Sequence, residues 1–182
     1  MNRKKSKVRI TTKIGDHGYT KMFSGETVSK NSLRMEALGD LDELSSILGI
    51  ALNHLRRKNT RSLIRRIQKD LLLVSAEVAT STKTKKRLRQ MVDDQFLADL
   101  EERIIIISQK VNLKKEFILP GLGFASATLD YARAVARRCE RKSVGLYQKK
   151  ELNNPTMIVW LNRLSDYLFL LARVEEKKSK NK

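Results

Sequence analysis

The residues best suited to chemistry lie between Phe117 and Arg141, in the run FILPGLGFASATLDYARAVARRCER. A Pro-Gly turn leads into a segment whose side chains sort onto two faces at about 100° per residue. Ala125, Leu129, Ala132, Ala136 and Cys139 fall on one side; Asp130, Arg133, Arg137, Glu140 and Arg141 fall on the other. Arginine carries a planar fork of donors matched to carboxylate and phosphate. Arginines stacked at steps of four, with carboxylates between them, offer a grip for an anion or for a neighbouring subunit. A salt-bridged face turned to water has the same pattern, so both readings stand on this segment alone.

A second chemical clue is the loop TKIGDHGYT at 12–20. Its glycines permit turns that aim successive backbone N–H groups at a phosphate, and Lys13 with Thr12 and Thr20 adds charge and hydroxyls. No Gly-Lys-Ser/Thr follows, so this is not a Walker loop, and an ordinary surface turn is the commoner meaning of such a stretch by itself. Other schemes lack their residues. With His17 and His54 the only histidines, a di-iron bundle built on paired Glu-x-x-His motifs is excluded. One cysteine does not make a usual zinc site. Cys139 lies on the apolar side of its segment and reads as an inert core thiol, and no resident metal ligand set is expected.

Apolar residues recur at 3- and 4-residue steps through five segments, which predicts five helices. The first runs along Leu41, Leu44, Leu48 and Leu55, the second along Ile67, Leu71, Val74 and Val78, and the third along Leu97, Leu100, Ile104 and Ile107. The arginine segment is the fourth, and Met157, Leu161, Leu164, Leu168 and Leu171 mark the fifth. Asn31 or Ser32 is placed to cap the first, Thr60 the second and Asp93 the third; Pro155 opens the fifth. The isoleucine run 104–107 follows the helical period rather than forming a strand. Segment 8–30 reads as a loop with a short hairpin, and 81–91 and 112–123 are the other long connections. The expected fold is all-α: a five-helix up-and-down bundle with an irregular N-terminal loop. Two helices besides the fourth carry a second face: Asp42, Ser46, Gly49 and Asn53 in the first, Asn162, Asp166, Phe169 and Arg173 in the fifth. An aspartate of buried type beside Gly and Ser wants a cationic partner, for which Arg133 is a candidate. Such faces suit a homo-oligomer with its site between chains; stripes simply facing water suit the pattern slightly better.

The chain of 182 residues, 41% hydrophobic and 32% charged, fits one globular domain over 1–182 with basic tails at 1–9 and 176–182. It has no membrane span and no secretory h-region, and its single cysteine fits a reducing cytoplasm. The net charge of +18 comes from the tails, the stretch 56–66 and the loop 83–89. Nucleic acid is disfavoured as a partner because aromatics total 5% and no zinc-finger or RNP pattern appears.

Four blocks in order, TKIGDHGYT at 12–20, GDLDELSS at 39–46, FILPG with LDYARAVARRCER at 117–141, and LNRLSDYLFLLAR at 161–173, resemble the PduO-type ATP:cob(I)alamin adenosyltransferases. The resemblance spans about residues 10–175. It implies a homotrimer of five-helix bundles in a ferritin-like arrangement, each with an irregular N-terminal nucleotide-binding loop, that binds ATP and a corrinoid between subunits, with Mg²⁺, and forms adenosylcobalamin. By motif position, the loop residues Thr12, Lys13, Gly15, Asp16, Gly18, Tyr19 and Thr20, with Lys30, are implied to wrap ATP. Arg137, Arg138, Glu140 and Arg141 are implied to hold its phosphates and sugar, with Asn162 completing the site. Asp42 and Arg133 match a pair crossing the subunit interface, and Phe117 matches the aromatic under the corrin. A corrinoid reductase or a cobalamin-dependent mutase are the implied protein partners. The chain departs from the pattern at Leu122 for a glycine, which is expected to stiffen the turn, at Asp130 for a histidine and at Ser45 for an asparagine. Two other readings are a basic helical RNA-binding protein and an ATP-binding trimer without transferase activity.

Overall fold

A computed structural model describes residues 11, 13, 15–22, 24–80, 88–113 and 116–176. Five helices form where the apolar periods predict them: α1 (Leu33–His54), α2 (Lys58–Val78), α3 (Asp94–Ser108), α4 (Phe124–Gln148) and α5 (Pro155–Glu176). Ser32 caps α1 by accepting from the Met35 N–H at 3.4 Å, and Asp93 caps α3 by accepting from the Phe96 N–H at 2.8 Å. Asn154 accepts from the Met157 N–H at 3.3 Å and holds the start of α5. Thr60 does not cap α2. The helix begins at Lys58 behind Arg57, whose carbonyl already accepts from the Arg61 N–H at 3.1 Å, so Thr60 is buried inside the first turn. The isoleucine run lies within α3. A hairpin precedes α1: β1 (Tyr19–Lys21) pairs antiparallel with β2 (Thr27–Ser29), Thr20 opposite Val28.

Helix α4 packs against both α1 and α5, α1 also packs against α2, and α3 lies on α5. Ion pairs Arg103–Asp70 and Arg66–Asp99, each 3.7 Å, tie α3 to α2. The helices thus enclose one apolar core, in which Leu44, Leu48, Ile64, Leu129, Trp160 and Leu164 are among the fully buried residues. Cys139 belongs to it, and burial pushes its thiol up to about 12, which suppresses thiolate reactivity. Two contacts fix α1 antiparallel to α4. Lys142, late in α4, reaches Glu36 in the first turn of α1 at 3.2 Å, and the Phe124 ring at the start of α4 lies 4.1 Å from the ring of His54 in the last turn of α1.

A polar hub closes one end of the bundle. Buried Glu77 accepts from the Val92 N–H at 3.0 Å and from Asn154, whose amide also donates to the Val92 carbonyl at 2.7 Å. Burial raises the Glu77 carboxyl above its ordinary value against the pull of those bonds. Buried Arg34 donates to the carbonyls of Val78 and Thr80. Loop ends that would otherwise carry orphan backbone groups are satisfied there.

Candidate functional site on helices α1, α4 and α5

The charged face of α4 is built as its spacing requires, with one exception. Arg137 and Arg141 are exposed one turn apart, the Arg141 guanidinium donating to the Arg137 carbonyl at 3.2 Å, and Arg133 and Glu140 are half-buried. The exception is Asp130, which is 5% exposed and turned into the seam between α4 and α5. Its carboxylate accepts from Arg173, itself 4% exposed. The helical period places both residues on the polar faces of their helices, away from the core lines. They lie at the border between faces, and each supplies the partner that lets the other be buried. Glu176 at 2.8 Å and the Phe169 ring at 5.0 Å complete the surroundings of the Arg173 guanidinium.

Two expected site residues from different helices meet directly. Asn162 of α5 donates to Glu140 of α4 at 3.0 Å; its own carbonyl accepts from Arg163, which holds Glu101 at 2.9 Å. This chain of bonds ties α5 and α3 to α4 at Glu140, which lies between Arg137 and Arg141 in sequence.

Arg138 has a different setting from its neighbour Arg137. It lies 3.1 Å from Asp40 and is hydrogen-bonded to Glu43, both on α1. Tyr131 donates to Glu43 at 2.9 Å, and Lys142 reaches Asp40 at 3.0 Å as well as Glu36. Desolvation pulls Arg138 and Lys142 down, but the carboxylates outweigh it and hold both above their ordinary values. Sequence reasoning missed this lattice. Its signal was legible: carboxylates at 36, 40 and 43 on one face of α1, opposite cations four apart at 138 and 142.

Asp42 is exposed rather than buried, and among the described residues of its own chain it has no ion-pair partner. Arg133 sits 4.0 Å from Asp130 instead. One chain therefore leaves Asp42 and Arg133 apart.

At the head of α1, Thr12 lies outside the described residues. Lys13 is left-handed at φ +61°, and Gly18 at φ +79° turns the chain so that its carbonyl accepts from the Lys30 N–H at 2.9 Å. The Lys30 ammonium lies against Gly15, where a Cβ would come within 2.8 Å of it. Asp16 and Tyr19 are exposed, and Thr20 is half-buried in the hairpin. Leu33, at the start of α1, packs on Gly145 of α4, so the hairpin and Lys30 stand at the end of the bundle that Arg141 approaches.

At the opposite end, Phe117 is fully exposed, with Leu119 and Leu122 exposed beside it. Gly121 takes φ +116°, whereas Leu122 is not in the left-handed region, so the leucine there costs no backbone strain of that kind. Leu122 also adds an exposed apolar side chain to the turn. A cavity of about 190 Å³ opens where this turn enters α4, lined by His54, Arg56, Phe124, Ser126 and Glu175. It is smaller than the roughly 300–1,000 Å³ of clefts that bury a small molecule.

Residues 10–175 match the family model for cobalamin adenosyltransferase. A corrinoid adenosyltransferase of Citrobacter freundii is 37% identical over 92% of this chain and 95% of its own length. The corrinoid adenosyltransferase PduO of the same organism is 36% identical over 92% of this chain, which spans half of that longer protein. A variant PduO-type ATP:corrinoid adenosyltransferase from Lactobacillus reuteri, solved in complex with cobalamin and ATP, superimposes with a TM-score of 0.87 at 31% identity, covering 94% of this chain and 96% of the other.

Proposed function

The chain belongs to the cobalamin adenosyltransferase family, and we infer that it transfers the 5′-deoxyadenosyl group of ATP to the cobalt of cob(I)alamin, giving adenosylcobalamin and triphosphate. Cobalt(I) carries the attacking electron pair, so the reaction asks the protein for no nucleophilic side chain and no acid–base pair. What it asks for is alignment of cobalt with the ribose 5′ carbon and stabilisation of charge gathering on the departing phosphates.

The observation that carries the reading is the pair of exposed arginines, Arg137 and Arg141, on the same helix as Glu140, which accepts from Asn162 of α5. In our reading the two arginines take the triphosphate, Glu140 and Asn162 meet the sugar, and the loop from Lys13 to Thr20 with Lys30 closes over the nucleotide. Arg138, engaged by Asp40 and Glu43, holds α4 in register with α1 instead of gripping phosphate. Phe117 and the leucines beside it form the apolar seat under the corrin, and excluding a lower axial ligand eases reduction of the cobalt. Along α4 the parts follow in order: apolar seat, Arg133, then the phosphate grips.

A neighbouring copy completes the site in this reading. Among the described residues of its own chain Asp42 has no ion-pair partner, and the Arg133 Nε has no hydrogen-bond partner, so a homotrimer in which the two meet across the interface satisfies both. Mg²⁺ enters with the nucleotide as part of the substrate. The described residues contain no cluster of three or more His, Cys, Asp or Glu side chains able to hold a metal ion, and phosphate oxygens and water are its usual ligands. A reductase that supplies cob(I)alamin and a mutase that accepts the product are the partners this chemistry calls for. Among the described residues no helix is long and apolar enough to cross a membrane, and the buried lone thiol fits the cytoplasm we propose.

The test is anaerobic. Purified protein, chemically reduced cobalamin and MgATP are followed by absorbance, and the spectrum of adenosylcobalamin should replace that of cob(I)alamin. A nucleotide-bound protein that leaves cob(I)alamin unchanged contradicts the assignment.

A further inference from the structure

Helix α2 carries a charge arrangement that works against its own stability. Lys58, Arg61, Arg65 and Lys69 are all exposed, and at about 100° per residue they fall, with Leu72, within an arc of about 80°. Along this row each cation has another cation three or four residues away, the spacing at which like charges destabilise a helix. The row also begins in the first helical turn, which has no acidic residue and no side-chain cap, where the helix dipole disfavours positive charge. Among the described residues none of the four has an ion-pair partner. Cations of α2 on other faces do: Arg66 lies 3.7 Å from Asp99, and Arg57, at the cap, lies 3.9 Å from Glu175. Local rules broken along one face only, without an internal compensation, mark a surface kept for a contact.

We propose that the outward face of α2 is a docking surface for an acidic α-helix of a partner protein. The row advances by 3, 4, 4 and 3 residues, the ridge spacing that a second helix meets. From Lys58 to Lys69 it spans about 16 Å at about 1.5 Å per residue. A facing helix with carboxylates at the same steps presents one anion to each cation and relieves the repulsion within the row. Leu72, 71% exposed at the end of the row, supplies an apolar anchor for that helix. The row contains no aromatic side chain on which a nucleobase could stack. Its single leucine gives too little apolar surface for a helix lying in a membrane interface. The face is separate from the Arg137–Asn162 site and its use is independent of adenosyl transfer.

The probe is a synthetic helical peptide with Glu at steps of 3, 4 and 4 and a Leu three residues beyond, labelled for fluorescence anisotropy. Its control has the same composition with Glu spread around the helix. The proposal expects saturable binding that weakens with added salt, at least about tenfold tighter than the control peptide. R61E/R65E should lose at least about tenfold in affinity and Leu72→Ala should lose measurably, with adenosyl transfer unchanged in both. Equal affinity for the control peptide, indifference to R61E/R65E, or tighter binding at the same salt to duplex RNA or to phosphatidylserine vesicles overturns it. R61E/R65E should also melt no lower than the parent, so that lost binding is not lost fold; a lower melting point contradicts the like-charge argument itself.

Discussion

Removing Asp130 tests the packing logic of α4 and α5 more sharply than any surface change. Its carboxylate is the buried partner of the buried Arg173 guanidinium, and Asp130→Ala leaves that cation with Glu176 at 2.8 Å as its remaining anion. Stripping one partner from a buried pair costs about 3–5 kcal/mol, because the other charge stays desolvated. The surviving Glu176 contact places this case at the lower end, about 3 kcal/mol. For a domain of this length, 1 kcal/mol moves the melting temperature by about 2–4 °C, which gives a drop of roughly 6–12 °C. Thermal unfolding of the parent, Asp130→Ala and the double variant Asp130→Leu/Arg173→Met separates causes. The double variant removes both charges and refills the seam, so it should recover most of the loss. A single variant melting within a degree of the parent, or a double variant less stable than the single, refutes the assignment of a buried pair.

The other predictions concern the site and the hub. Arg137→Ala should cut kcat/KM for ATP by about 10- to 150-fold, the worth of one charge-assisted hydrogen bond, with the melting temperature unchanged because the side chain is exposed; steady-state kinetics with ATP varied decides. Arg138→Met should do the reverse, lowering the melting temperature by about 2–4 °C for a partly exposed pair worth about 1 kcal/mol, while calorimetric ATP affinity stays within about threefold. Asp42→Asn should shift sedimentation towards species smaller than the trimer, and an unchanged mass would separate Asp42 from the interface. Burial raises the Glu77 carboxyl above 4.5, so the native state binds its proton more readily than the unfolded chain does. Stability from this group is therefore greatest at acid pH and falls as pH rises from about 4.5 through the raised value. The difference in unfolding free energy between the parent and Glu77→Gln should decline across that window, and a flat difference would contradict it.

Much of this architecture is legible without coordinates because helices announce themselves by period. The lines through Leu41, Leu71, Leu100, Leu129 and Leu164 give five helices, and Ser32, Asp93 and Pro155 mark three of their starts. Thr60 misleads because a hydroxyl near a helix start looks like a cap whether it lies before the first turn or inside it, and burial decides between these. Asp130 and Arg173 mislead for a related reason. A helical wheel ranks residues by angle, yet a charge at the border of two faces goes inward only when another helix supplies its counter-charge, which is a tertiary fact. Arg137 and Arg138 are identical in type and adjacent in sequence, and only the carboxylates of α1 separate an open guanidinium from an engaged one. The Glu140–Asn162 contact could be anticipated as membership of one site, but the hydrogen bond itself depends on how α4 and α5 cross.

The central claim is displacement at the ribose 5′ carbon, and the fate of the phosphates tests it most directly. Under anaerobic conditions with cob(I)alamin and MgATP, phosphorus NMR of the quenched reaction should show intact triphosphate in equal amount to the adenosylcobalamin formed. ADP with inorganic phosphate, or pyrophosphate with an adenylylated product, would show that the nucleotide is broken elsewhere and would contradict the account.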